Sequence, residues 1–403
     1  MYNLAIYLYL LAVKFVGLFS KKVKLMRKGH KEVFDILRTQ IDKDSQYLWF
    51  HAASVGEFEQ ARPIIERLHS ELPFRKVLLT FFSPSGYELR KNYPMVDKVT
   101  YLPFATRKNA KQLLEILPLE AAIMVKYEFW PAYLKELKAK NIPTYLISAI
   151  FRPSQLFFKP WGKGYLQLLH AFKHIFVQDQ ASAELLQQHG VEQVSVAGDT
   201  RFDRVAEVRK QTKDLPIVEG FVSGAEQVIV AGSTWPQDEQ LFARYLSERE
   251  HVKLVLVPHE IDAEHLHRIF QLFEGRYVRY TEAKPMSLDK CRVLLVDTIG
   301  VLSSIYRYGQ VAYIGGGFGV SIHNTLEAAV YGMPVVFGPT WKKFREAHGL
   351  LNAGAAITVR NYREFANALD TAFATQHVMG QAATDYVNSE LGATNKILKH
   401  LNL

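Results

Sequence analysis

Short, almost continuously apolar runs recur along this 403-residue chain and alternate with segments of helical period. In the first half they fall at 47–51, 76–82, 98–102, 121–126, 144–148, 174–177 and 193–196. In the second half they fall at 227–231, 252–257, 276–280, 292–296, 310–314, 334–337 and 356–359. Runs of this length without polar alternation are what strands look like when both faces of a sheet are covered. Helix-period stretches such as 59–71, 108–116 and 181–188 separate them, which spells a repeated βα unit and a parallel α/β sheet. The pattern pauses at 205–224, which is polar and mixed, and then resumes. The chain therefore reads as two Rossmann-like domains, 32–204 and 225–380, with a linker at 205–224 and a C-terminal helix at 381–403. Ligands of open α/β sheets sit beyond the carboxyl ends of the strands, so the two domains are expected to face each other across a cleft.

The first twenty residues are nearly all apolar, interrupted by Lys14. Seven Lys/Arg (Lys14, Lys21, Lys22, Lys24, Arg27, Lys28, Lys31) precede the first acid, Glu32, and account for most of the formal net charge of +9. Charge after the apolar run is the wrong order for a signal peptide. Residues 1–31 are expected to form a membrane-associated helix with a basic stretch facing anionic lipid, lying in the interface in preference to spanning. A buried N-terminal core helix is the plainer alternative. With the basic excess confined to one end, a nucleic-acid partner is not expected. The single cysteine, Cys291, permits no internal disulfide and reads as packing.

Chemistry-bearing residues cluster where strands end. Ser54, Gly56 and Glu57 follow the first strand. Gly56 would allow a tight turn or a close backbone approach, and Glu57 would sit at a helix N-terminus, where the dipole favours an anion. The same spacing fits a capping box between Ser54 and Glu57. Glu128 follows the fourth strand beside aromatic residues, a setting suited to acid/base work but equally that of a surface Glu next to a buried Trp. Arg201 follows the seventh strand, where its cation could meet a phosphate or simply pair with Asp199 or Asp203. In the second half the strand-end candidates are Ser233, Thr234, Pro258, His259, Ile299, Gly300, Val301 and Gly316, followed by Asn324, Thr325, Leu326 and Glu327. Glycine turns leading into helices bind phosphate, and an acid with small polar neighbours grips a ribose diol. No His, Cys, Asp or Glu spacing makes a convincing metal site.

Taken in order, HAASVGEFEQARP, YEFWPAY, AGSTWPQDE, VDTIGVLSSIY, YIGGGF and HNTLEAAVYGMPVVFGP resemble the 3-deoxy-D-manno-octulosonic acid (Kdo) transferases of lipopolysaccharide biosynthesis. The resemblance runs from about residue 51 to residue 350, and includes a similar N-terminal anchor. It implies a two-domain GT-B glycosyltransferase that moves Kdo from CMP-Kdo to a lipid A precursor at the cytoplasmic face of the inner membrane, with no metal or cofactor. It further implies that Glu57 is the catalytic base and that Glu128 and Arg201 stabilise the transition state. Pro258, His259, Ile299, Gly300, Val301 and the segment from Asn324 to Glu327 would bind CMP, with Ser54 and Gly56 beside the acceptor. Arg201 stands where the family commonly has Lys, His259 where it has Arg, and Val301 where it has Glu. Ser148-Ala149-Ile150-Phe151-Arg152 replaces a more polar Asn-Ala-Arg-type stretch, so acceptor contacts should differ. Two other readings remain: a GT-B enzyme using a UDP-sugar, and a non-catalytic membrane-docked Rossmann scaffold.

Overall fold

The computed structural model describes residues 19–273, 275–284, 288 and 290–401, together with residues 6, 13, 15 and 16. Two compact units form. The first comprises Met1–Asp203 with Leu391–Leu403, and the second Arg204–Glu390.

All fourteen apolar runs are strands, divided between two seven-stranded parallel sheets. The first sheet has the order β3-β2-β1-β4-β5-β6-β7. Its strands are β1 (Tyr47–Ala52), β2 (Lys76–Phe81), β3 (Lys98–Tyr101), β4 (Leu119–Val125), β5 (Thr144–Ala149), β6 (His174–Val177) and β7 (Val194–Val196). Alternate side chains of each strand enter different cores, as the period-2 geometry of a strand requires. Trp49, Met124, Leu146 and Ile175 join one cluster, while Leu48, Phe50, Ile123, Ile147 and Phe176 join the other. Burial on both faces is why these runs carry no polar alternation.

The second sheet has the order β10-β11-β9-β8-β12-β13-β14. Its strands are β8 (Gln227–Thr234), β9 (Val252–Pro258), β10 (Tyr277–Arg279), β11 (Val293–Leu295), β12 (Val311–Ile314), β13 (Val335–Phe337) and β14 (Ala356–Thr358). In both sheets the first strand lies inside the sheet, and the order reverses beside it: between β1 and β4, and between β8 and β12. Such a switch point splays neighbouring loops apart and opens a crevice at the carboxyl ends of the strands.

Four expectations change. The stretch 205–224 is largely helical: α4 (Thr200–Lys210) runs into it and α5 (Pro216–Val222) follows. The 31/32 boundary falls inside helix α1 (Lys21–Gln40), whose Met26, His30, Val33 and Leu37 are buried, so the later part of the basic stretch begins a docked helix. The C-terminal segment is two helices assigned to different units, α7 (Gln376–Ser389) in the second and α8 (Ala393–Leu401) in the first. Ser233 and Thr234 belong to β8 itself, not to a turn after it. Most of residues 1–18, where the membrane-associated helix was expected, lie outside the described residues. Among the described residues no helix is long and apolar enough to cross a membrane.

Candidate active site

β1 ends at Ala52, and helix α2 (Val55–Glu71) begins three residues later, so only Ala53 and Ser54 form the turn. Gly56 lies in the first turn of α2, is exposed, and has open space where a Cβ would be. It therefore lies in the helix rather than in a tight turn, and leaves the surface over the helix start uncovered. Glu57 folds back over that start. One of its carboxylate oxygens accepts from the Ser54 backbone N–H at 2.8 Å and from the Ser54 hydroxyl at 2.9 Å. The capping geometry and the strand-end carboxylate are thus one arrangement. Burial pushes the Glu57 carboxyl above its ordinary value, and the nearby Glu128 charge adds to this. The two Ser54 donors and the Lys126 ammonium pull the other way without cancelling the rise.

Glu128 follows β4, the neighbour of β1 across the switch point. It is only 6% exposed. His51 Nε2 lies 2.9 Å from its carboxylate, and the Trp130 indole N–H donates to the same oxygen. The His51 Nδ1 lies 2.9 Å from Thr80 Oγ1, which in turn accepts from Trp49 Nε1 at 2.8 Å. With its proton on Nε2, His51 donates to Glu128 and accepts from Thr80, so every atom of the relay is satisfied. Glu128 is therefore a buried carboxylate in a fixed orientation, and not a surface Glu. The sequence marks Trp130 only as an aromatic neighbour of Glu128 and assigns no role to His51 or Lys126. Lys126 has a left-handed backbone (φ 59°), an uncommon conformation for a side-chain-bearing residue and a pointer to a constrained position.

Arg201 heads α4 and is clamped on Asp199. Its Nη2 lies 2.6 Å and its Nε 3.0 Å from the same carboxylate oxygen, and its backbone N–H donates to the other at 3.0 Å. Burial works to raise the Asp199 carboxyl, but the Arg201 guanidinium and Lys126 outweigh it and hold it below the usual range. Asp203 instead accepts from the backbone N–H groups of Gly392 and Thr394. The pairing alternative for Arg201 is thus the one formed, which leaves its charge largely offset by Asp199.

The second unit gathers residues around the β8/β12 switch. The His259 ring stacks on Trp235, with centroids 5.0 Å apart, and lies tilted against His323, at 4.2 Å. Trp235 Nε1 donates to His323 Nε2 at 3.1 Å. Burial, helped by His259, lowers His323 to a pKa of about 4, so it is neutral at pH 7. Gly316 (φ +87°) differs from expectation: its N–H donates to buried Asp238 at 3.0 Å and is already committed. Asp238 also accepts from Tyr313 Oη at 2.6 Å and from the Trp235 N–H at 2.9 Å, tying the two switch loops together. Thr234 is fully buried and donates to Glu239, and Thr325 and Leu326 are buried as well, so those side chains face the interior. Asn324 donates to Glu327 at 2.9 Å, bringing that pair together. Ser233 (φ 54°) is half-buried, Pro258 ends β9, and the loop of Ile299, Gly300 and Val301 is open, with Ile299 83% exposed. Among the described residues no three His, Cys, Asp or Glu side chains gather to hold a metal ion.

Residues 27–204 match the family described as 3-deoxy-D-manno-octulosonic-acid transferase (kdotransferase). The match spans most of the first unit. A 3-deoxy-D-manno-octulosonic acid transferase of Aquifex aeolicus is 28% identical, over 83% of this chain and 90% of that protein. A bifunctional glycosyltransferase/methyltransferase of Fusobacterium nucleatum is 26% identical over 82% of this chain, which spans only about half (53%) of that protein's length. The solved UDP-GlcNAc 2-epimerase of Neisseria meningitidis superposes with a TM-score of 0.61 at 15% identity, over 88% of this chain and 99% of that one. At that identity the likeness establishes the shared GT-B-like fold alone. Glu57, Glu128 and Arg201 all lie within the stretch matched as the Kdo transferase domain.

Proposed function

We propose that this protein is an inverting glycosyltransferase that moves Kdo from CMP-Kdo to a lipid A precursor of the lipid IVA type in lipopolysaccharide core biosynthesis. The observation that carries this reading is the carboxylate pair Glu57 and Glu128, placed just beyond the carboxyl ends of the adjacent strands β1 and β4, at the switch point of the stretch matched as a Kdo transferase domain. Glu57 takes the proton of an acceptor hydroxyl. The freed oxygen bonds to the anomeric carbon of Kdo as the bond to the CMP phosphate breaks, and the electron pair leaves with CMP. Attack from the face opposite the leaving group inverts the configuration. The raised Glu57 pKa makes it a stronger base than a free carboxylate. Glu128, immobilised by His51 and Trp130, holds fixed negative charge near the centre where positive charge develops. Lys126 supplies a cation for the donor phosphate, and Arg201, oriented by Asp199, offers it guanidinium N–H donors. His259, the 299–301 loop and the Asn324–Glu327 pair are the donor-binding groups on the second unit. The scheme uses no metal or cofactor.

The chain is proposed to work at the cytoplasmic face of the inner membrane, held there by residues 1–31. Exposed Phe15, Val16, Phe19 and Leu25 next to exposed Lys24 and Lys28 support an interfacial seat. Mass spectrometry of the product formed from tetraacylated lipid A precursor and CMP-Kdo generated in situ tests the reaction. Glu57→Gln should lower turnover roughly a hundredfold to ten-thousandfold while CMP-Kdo binding, measured by calorimetry, stays near wild type. Near-normal turnover in that variant would remove Glu57 as the base.

A further inference from the structure

From residue 137 to residue 178 the chain contains no Asp or Glu but six Lys/Arg: Lys138, Lys140, Arg152, Lys159, Lys163 and Lys173. Three of them, Arg152, Lys159 and Lys163, lie on the connection that leaves β5 at its carboxyl end, the end of the sheet at which Glu57 and Glu128 stand. That connection folds into two short 3-10 turns, Leu156–Phe158 and Pro160–Gly162. They are packed backbone to backbone: a Cβ on Gly162 would meet the Leu156 carbonyl oxygen at 1.7 Å. Phe157 pins the turns inward against Phe129, at 4.7 Å between centroids, and against Phe151 at 5.8 Å. With Phe157 taking the inner side, the outer side presents Trp161 at 76% exposure, flanked by Leu156 and Tyr165. Arg152 reaches Tyr127, the residue before Glu128, at 3.4 Å.

A segment that exposes a tryptophan, a leucine and a tyrosine among cations, with no Asp or Glu in its own sequence, has the composition of a membrane-interface surface. Indole and phenol rings settle at headgroup depth, and Lys and Arg meet lipid phosphates. A protein partner is the weaker fit, because a protein-facing patch with three cations and no acid of its own would need a matching acidic surface. We propose that segment 152–165 is a bilayer-docking surface, separate from the N-terminal segment, which seats Trp161 in the headgroup layer of an anionic membrane. It deepens the acceptor side of the proposed transfer: a lipid acceptor rising from that bilayer would meet the chain one residue from Glu128.

The N-terminal segment is expected to bind membranes on its own account, so the informative readout is depth at Trp161 rather than total binding. The full chain is mixed with phosphatidylcholine vesicles, with and without phosphatidylglycerol, containing brominated lipids that quench tryptophan on contact. Wild type should be quenched on the anionic vesicles, and Trp161→Phe should lose most of that quenching while remaining bound. Lys159→Glu with Lys163→Glu should weaken partitioning to the anionic vesicles by roughly tenfold or more and leave it unchanged on phosphatidylcholine. Equal quenching in wild type and Trp161→Phe overturns the proposal, as does co-purification of an acidic protein that abolishes quenching by covering Trp161. None of these readouts uses CMP-Kdo, so a failed transfer assay leaves them standing. Conversely, transfer to detergent-dispersed acceptor that is unaffected by Trp161→Ser, without Trp161 quenching, removes the docking surface and keeps the transfer.

Discussion

Glu57 shows how one side chain serves structure and chemistry together. Its reach back to the Ser54 N–H satisfies a donor that the helix start leaves open, and the same contacts hold the carboxylate at the strand end. The Ser54 hydroxyl also lowers the Glu57 pKa against the rise caused by burial. Ser54→Ala removes that donor, so the Glu57 pKa should climb further. A base works only when deprotonated, so the acid limb of a kcat/KM profile should shift to higher pH, while the rate well above the limb is retained. An unchanged limb would show that another group titrates there. The helix itself should lose about 1 kcal/mol or less, since the backbone half of the box survives. Ser54 and Glu57 were legible as a pair because the motif is local, three residues apart. The His51–Glu128 contact was not, because those residues are 77 positions apart and meet only when β1 and β4 pair.

Helix α1 docks through a single titratable ring. His30 stacks on Phe104 at 4.1 Å and contacts Phe82 and Tyr101, and burial lowers its pKa to about 4. The unfolded ring titrates near 6.5, so this docking is at full strength above that pH and weakens as pH falls towards 4. Up to about 3 kcal/mol is at stake. Hydrogen exchange across 21–40 should quicken over that window, and His30→Phe should flatten the dependence on pH. In the second sheet the loop after β12 has no room for a side chain at Gly317. A Cβ on Gly317 would stand 2.6 Å from the Gly338 Cα, backbone that cannot swing aside. Gly317→Ala should cost about 1–3 kcal/mol, read as a lower midpoint for the second unit in denaturant. Those glycines were read in the sequence as phosphate cradles. Gly316 shows why composition misleads, since its N–H is committed to Asp238 and the turn serves packing between loops.

At the scale of the chain, the last helix belongs to the first unit although it follows the whole of the second. Ile397 and Leu401 of α8 are buried in the same core cluster as Phe58, Ile64 and Ile65 of α2, the helix that bears Glu57. Deleting 391–403 should therefore destabilise the first unit by several kcal/mol, on the order of two large core truncations. It should speed exchange in 55–71 and leave exchange in β8–β14 nearly unchanged; equal loss in both would contradict this division. The sequence alone could not choose between the two units for this helix, because an amphipathic stripe states that a face is buried and not against what. What the sequence did determine is the alternation of fourteen apolar strands with helices, and hence which residues stand at strand ends, because hydrophobic period and turn chemistry are local. Strand order, the partners of Glu128, the neutralising clamp of Asp199 on Arg201 and the home of the last helix were decided by tertiary structure. Each depends on pairing between distant segments, which no local pattern encodes.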